Sequence, residues 1–505
     1  MPVNHISRPA TALAALTAGL AFSSAAWADV TADDVWATWQ EAISAYGDGM
    51  ITMADPVRDG DTLTIDDISV EFEDDDVHVS ADVGTIVLTE NGDGSVSVTV
   101  PESYEMTFGQ AANVDLNRAV ISVSNAGLDM QVSGTPEEMT YTFSADSYDF
   151  ALVELYDAGE PVEAEGTARL IGLSGSATMS EDEALQHVAS DINADTLELF
   201  LDINDPGEVV ANLAGQISNV ALRQDTTTPL DMATTEPEEM FAAGFATDLA
   251  VSAGAGEMIY SWEDGSDTAS GAYAAESSSL ALTLNASEFA LEEQANGVVF
   301  QLVSGSMPLP LDVSVAELGF SLGMPVSATE EPAEIGASLT IDQLALNEEI
   351  WMMADPAGAL PHDPMTLIFK LSGVGKLLVD LSDPTAAMGM GNDMPGELYQ
   401  LNLDQLTVKL VGASIEGTGA FTFDNSDLTT FQGMPRPEGE AVFNIEGLNA
   451  LIGKLAEMGL VPQDQLMGAR MMLGLFTESV GEDALQSTIT VTPDGSVLAN
   501  GQQLR

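Results

Sequence analysis

A mainly β chain, a β-rich α+β fold laid out as a long antiparallel meander in two lobes, is what this sequence predicts. Three observations predict it. Apolar residues alternate with polar ones through most of the chain, as in Leu63/Ile65, Ile68/Val70/Phe72, Val96/Val98/Val100, Leu280/Leu282/Leu284, Val313/Val315, Leu406/Val408/Leu410 and Ala420-Phe421-Thr422-Phe423. That period of two belongs to strands with one dry and one wet face. Turn dipeptides punctuate the runs: Asp59-Gly60, Asn91-Gly92, Asp93-Gly94, Asp264-Gly265, Asn296-Gly297, Asp494-Gly495 and Asn500-Gly501. Each is a hairpin signal. Finally, strand and helix periods do not alternate as a parallel sheet would require. Helices are expected only as an N-terminal helix and a C-terminal helical hairpin packed on the sheet.

Residues 1–28 read as a cleavable export signal. Arg8, with His5, makes a positive start, Ala10 to Phe22 is apolar, and Ala26-Trp27-Ala28 is a small-x-small cleavage site. The apolar stretch is shorter than the roughly 20 residues of a membrane-spanning helix. Cleavage between Ala28 and Asp29 leaves a mature chain with no integral membrane segment, which points to the periplasm. The chain has no cysteine, so neither a lipidated cysteine nor a disulfide can hold it, and the fold must rest on burial.

The first helix follows. Thr31-Ala32-Asp33-Asp34 resembles a capping box with a shorter acid in the Glu place. Val35, Trp39, Ile43 and Tyr46 then recur on one face, and Gly47 ends the run. This Trp-bearing stripe is expected to dock on the domain behind it, with a partner's groove as the alternative. The composition shifts to Thr, Pro and Glu between Asp225 and Met240, dividing the mature chain into a helix plus β-rich lobe at 29–228, a connector at 229–243 and a second β-rich lobe at 244–505. Pro-Glu-Glu-Met occurs at 136–139 and 237–240, and Met-Ala-Asp-Pro at 53–56 and 353–356, a weak hint of duplication. Near the end, Leu448, Leu451, Ile452 and Leu455 mark a helix stopped by Gly459. Pro462 opens another, with Leu466, Ala469, Leu473 and Phe476 on its face. Its Met467, Met471 and Met472 are candidates to line an apolar ligand site, or simply core. Ser487–Val491 and Ser496–Ala499 close the chain as a hairpin.

Charge decides which partners are excluded. There are 81 Asp and Glu against 12 Lys and Arg, a formal charge of −69. All four lysines (Lys370, Lys376, Lys409, Lys454) lie late in the chain, and no Lys or Arg occurs from Gln224 to Phe369. A compact chain of this mass exposes roughly 17,000 Å². Net charges then sit about 15 Å apart, beyond the ~8 Å Debye length of physiological salt and within the ~30 Å of 0.01 M. No basic patch exists to neutralise phosphates, so no nucleic acid is expected as a partner. An anionic membrane surface is disfavoured too, whereas the acyl chain of a single lipid is not. The acidity fits either solubility and salt adaptation or a cation-binding surface.

The sequence carries no recognisable catalytic pattern. His78 sits in an alternating strand, His187 on what reads as a short acidic helix, and His362 in the turn Pro361-His362-Asp363-Pro364, so no metal-binding His pair exists. Gly373-Val374-Gly375-Lys376 lacks the first glycine of a phosphate loop and is followed by Leu377, with Val379 and Leu381 continuing a strand. Gly417-Thr418-Gly419 has Thr422 where a dinucleotide fingerprint needs glycine. Asp74, Asp75 and Asp76 are weak cation candidates that match no calcium loop. No catalytic residue and no cofactor is expected.

Several segments together resemble an uncharacterised family of exported Gram-negative bacterial proteins, domain of unknown function 2125. They are Asp29-Val30-Thr31-Ala32-Asp33, Val35-Trp36, Trp351 to Pro356, Leu360-Pro361-His362-Asp363-Pro364, Lys376 to Leu381, Asp383-Pro384, Gly419 to Asn425, Met467 to Met472 and Leu498 to Gln502. The resemblance runs the length of the chain, is strongest after about residue 345, and implies a compartment and an architecture but no reaction. More distantly, the meander is similar to AsmA-like envelope proteins, which implies handling of lipids along an apolar β-groove. Two functions follow as expectations: an exported non-catalytic envelope protein sheltering a lipid or other apolar small molecule, or a periplasmic scaffold or assembly factor with an envelope protein partner.

Overall fold

The computed structural model describes residues 29–46, 50–74, 77–114, 116–182, 184–205, 209–230, 237–328, 331–381 and 395–504. It is mainly β and antiparallel, with few helices, as the alternation predicts. Strands of eleven residues or more are numbered in chain order: β1 (Thr62–Glu73), β2 (His78–Glu90), β3 (Glu138–Asp157), β4 (Glu163–Glu181), β5 (Leu185–Asp205), β6 (Val209–Pro229), β7 (Glu288–Ser304), β8 (Leu311–Pro325), β9 (Ala333–Leu346), β10 (Met365–Leu377), β11 (Gly396–Leu410), β12 (Ala413–Asp424) and β13 (Arg436–Glu446). The helices are α1 (Ala32–Tyr46), α2 (Pro237–Ala242), α3 (Glu348–Ala354), α4 (Leu448–Glu457) and α5 (Gln463–Phe476). None of them is long and apolar enough to cross a membrane. The chain forms two compact units. One takes the residues up to Asp231 with Asp248–Tyr273 and Ser304–Ser306; the other takes Met232–Thr247, Ala274–Val303 and everything from Met307.

The first unit has a closed core. Leu63 and Ile65 of β1 pair with Leu88 and Ile86 of β2, and these join Val96, Val132, Met139 and Phe143 in one buried cluster. Helix α1 roofs it. Val35 and Trp36 are buried, Trp39 packs against the cluster, and the Trp39 indole N–H donates to the Tyr141 hydroxyl at 3.2 Å. Burial pushes the Tyr141 hydroxyl up to about 12. The cap forms as the sequence suggests. Thr31 N–H donates to Asp34 Oδ2 (2.9 Å), and Asp34 N–H donates to Thr31 Oγ1 (3.2 Å). Glu90 accepts from Ala32 N–H and from Arg58, and Arg58 also pairs with Asp33, which pins the start of the helix to the sheet. Each large apolar side chain buried here contributes about 1.5–3 kcal/mol.

Beyond that core, β3, β4, β5 and β6 form a ladder of long antiparallel strands. His187 lies in β5, not on a helix. Its neighbours pair on both sides, Ser180↔His187 and His187↔Thr227, and that double ladder overrides the weak local helical pattern. Asp182 makes the turn before β5 by accepting N–H bonds from Ala184 and Leu185.

The second unit is built on β7 to β13, each strand pairing with the next. Asn296-Gly297, expected as a hairpin turn, lies inside β7. Gly297 takes φ +59° there, and the register with β8 steps from Asn296↔Glu317 to Val298↔Val315. Both strands advance by two residues there, so the register is kept and the glycine sits in a continuing strand, not at a chain reversal. β10 ends at Leu377, short of the expected continuation through Val379 and Leu381. Helices α4 and α5 stand where expected, with Gly459 at φ +75° between them. Leu466, Ala469, Leu473 and Phe476 form the less exposed face of α5. The terminal hairpin is Ala484–Val491 paired with Val497–Ala499.

Candidate functional site

Cross-strand register builds the site. Leu291 of β7 faces Leu322 of β8, Leu322 faces Ala337 of β9, Ala337 faces Leu371 of β10, and Leu371 faces Leu403 of β11. One step along, Phe320, Leu339, Phe369 and Leu406 form a parallel row. Because side chains alternate in period two, these rows share one apolar face. The other face is wet: Ser321 and Ser338 hydroxyls lie 2.7 Å apart, and Asn402 Nδ2 donates to Ser372 Oγ. The apolar face is not closed over. Phe320, Leu339 and Phe369 are exposed, and both fully buried apolar clusters among the described residues lie in the first unit.

Toward one end of these strands the apolar face forms a groove of about 730 Å³. Its walls are Leu322 and Met324 of β8, Ile335 and Ala337 of β9, Leu371 and Leu377 of β10, Leu398 and Leu401 of β11, and Phe421 and Phe423 of β12. Gly375, also in the lining, supplies no side chain. A Cβ there would meet Ile335 and Glu397 only at ordinary contact distance, 3.5 Å, so the missing side chain leaves room rather than avoiding a clash. Ser372, Lys376 and Glu397 are the lining residues with polar side chains beside this apolar set.

The loop between β12 and β13 adds an end wall, contributing Phe431, Met434 and Pro435. Sequence chemistry explains its shape. Asp427 accepts from the Thr429 and Thr430 N–H groups and from the Thr430 hydroxyl. Gly433, at φ +101°, returns its N–H to Leu428 O at 2.7 Å. Arg436 clasps the base, with Nη2 2.8 Å from Asp424 and Nε 3.2 Å from Asp427, and it also donates to Pro493 O. The bonds from Thr430 and Thr429 pull the Asp427 carboxyl down to about 2. The Ser426 hydroxyl and Arg436 lower Asp424 as well.

A second organised corner follows β9. Trp351 of α3 stacks on the His362 ring, with centroids 4.6 Å apart and planes 7° from parallel. His362 Nδ1 lies 3.0 Å from Glu348 Oε2, and the side chain of Asp355 is wholly buried and accepts Leu360 N–H at 2.6 Å. Backbone N–H donors lower Asp355. This corner is made of the Trp351–Pro356 and Leu360–Pro364 segments quoted above. Its chemistry is that of a rigid loop: a carboxylate tying its own backbone beneath a stacked ring.

The other residues singled out are scattered. Asp74 is exposed and closes a tight turn with Val77; Asp75 and Asp76 lie outside the described residues. Among those described, no three carboxylate or imidazole groups converge on a common point. His78 is 3.8 Å from Glu73, and His187 is 2.7 Å from Asp225. Ala28 lies outside the described residues and Asp29 is exposed. Met467, Met471 and Met472 are 73%, 73% and 52% exposed on α5, and the groove is lined by other residues. Gly375, Lys376, Leu377, Phe421 and Phe423 of the groove stand out in the sequence only as residues of strands and of a failed phosphate-loop pattern, not as a site. A signal was present in Leu371-x-Gly-x-Gly-x-Leu377, an apolar phase interrupted by two side-chain-free positions. No family model matches the chain, and no curated protein matches it.

Proposed function

We propose that this is an exported, non-catalytic envelope protein that shelters the apolar chain of a lipid or similar molecule in the groove of its second unit. The observation that carries the reading is the groove itself: about 730 Å³ walled almost wholly by aliphatic and aromatic side chains, within the roughly 300–1,000 Å³ of ligand sites. An uncovered apolar face costs solubility unless something occupies it. The export-like segment at 1–28 and the resemblance to exported envelope proteins support a periplasmic setting. The lining suits holding a ligand rather than converting it, because its polar side chains are few and sit beside an apolar floor.

The test is native mass spectrometry of the mature protein recovered from its own periplasm, followed by solvent extraction. A discrete added mass that extracts as lipid is expected. A clean protein mass would overturn the reading. A second reading, a scaffold that acts through protein contacts, is favoured by one observation, the exposed stripe of Met467, Met471 and Leu475 on α5. A partner protein attached to an otherwise unliganded chain would move the weight there.

A further inference from the structure

The charges around the groove decide which head group an occupant can carry. The first support is local. Arg436 is committed to Asp424 and Asp427, and Lys409 lies 3.8 Å from Glu416. Lys370 sits next to Leu371 on the strand and so belongs to the wet face. Lys376, next to Leu377 and in phase with Lys370, belongs to that face too, and β11 places Glu397 opposite it in register. Glu397 is ionisable and already accepts a hydrogen bond from the Tyr399 hydroxyl at 2.5 Å. From Leu377 to Val408 the sequence contains no base at all. A phosphate or carboxylate arriving at the apolar face would therefore meet no lysine projecting from these strands.

The second support is global. A head group must enter the field of a chain with a formal charge of −69, which repels anions over a Debye length that grows as salt falls. An alkyl chain is indifferent to that field, so the discrimination falls on the head alone.

We propose that the groove selects amphiphiles with an alkyl chain and a head group of zero net charge, and discriminates against the same chain on an anionic head. This rests on the ligand-sheltering reading above and names the substrate class for that site. The strands of the groove turn Lys370 and Lys376 to the wet face, and the chain's overall charge sets the sign of the preference.

The experiment compares lysophosphatidylcholine with lysophosphatidylglycerol of the same acyl chain, below micelle formation, by competition for a bound fluorescent fatty probe across a salt series. The zwitterionic lipid is expected to bind roughly tenfold tighter near 10 mM salt, with the ratio contracting as salt shortens the screening length. Glu397→Gln, which removes a negative charge beside the groove, is expected to narrow the ratio. Gly375→Leu, or Ala337→Phe should the first fail to fold, fills the groove and is expected to abolish competition by both lipids. Equal or tighter binding of the anionic lipid at low salt overturns the head-group proposal and leaves the groove reading standing. A preference that survives filling the groove marks surface adsorption and also overturns it. Failure of both lipids to compete overturns the proposal together with the groove reading.

Discussion

The two units put the same kind of sequence to different use. In the first, alternating strands bring Ile65, Leu88, Val132 and Phe143 to one face, and α1 lays Val35 and Trp36 over them until they are buried. In the second, the same period two brings Leu322, Leu371 and Phe421 to one face, yet these residues line an open groove. Periodicity thus reports which side of a strand is greasy, whereas the presence or absence of a cover decides between a core and a site. The difference is energetic as well as geometric. A covered face contributes its full transfer free energy to folding, while an uncovered one leaves part of it unrealised.

That contrast can be broken most forcefully by truncating one aromatic on each side. Phe143→Ala should cost about 3–5 kcal/mol, because it removes a wholly buried ring and leaves a cavity. Phe421→Ala, partly exposed in the groove, should cost less than about 1.5 kcal/mol and weaken probe binding instead. Urea denaturation of both variants checks this, and equal destabilisation would mean that the second unit's apolar face is a packed core after all. A smaller effect sharpens the role of the cover. Thr31→Ala removes the cap that starts α1 and should cost about 1 kcal/mol, seen as a lower denaturation midpoint of the first unit with no change in groove binding.

The subtlest effect concerns the end wall. The Asp427 carboxyl is held below the ordinary aspartate value by the bonds it accepts from Thr430 and Thr429, down to about 2. A depressed carboxyl stabilises the folded loop fully above the ordinary aspartate value, and that contribution is lost as pH falls through the folded value. Retention of an apolar probe should therefore weaken between about pH 4 and pH 2. Asp427→Asn should weaken it already at neutral pH and flatten that limb of the profile. An unchanged profile in the variant would show that the wall does not depend on this carboxylate.

Much of the architecture was legible because it is written in local chemistry. The capping residues of α1, the Gly459 stop between α4 and α5, and the Asp494-Gly495 turn each need one particular residue type at one position. Three features were not legible, for a shared reason: the deciding contact lies far away in sequence. Asn296-Gly297 has turn chemistry, but β8 pairs along both sides of it and keeps the strand running. His187 sits in a stretch of helix-tolerant residues that β4 and β6 capture as strand. Pro-Glu-Glu-Met enters a strand at 136–139 and a helix at 237–240, so the repeated tetrapeptide carries no common structure. The groove was hidden for the same cause, since its lining is gathered from six strands and a loop. The methionines of α5, conspicuous in the sequence, stand out in solvent.

The proposed function stands or falls with binding in the apolar groove of the second unit. Its most direct test is saturable binding of a fluorescent fatty probe to the wild type and to Gly375→Leu, with folding of both checked by circular dichroism and melting temperature. The wild type is expected to show one saturable site that is lost in the variant while the fold and its melting temperature persist. Equal binding by both proteins, or none by either, would contradict it.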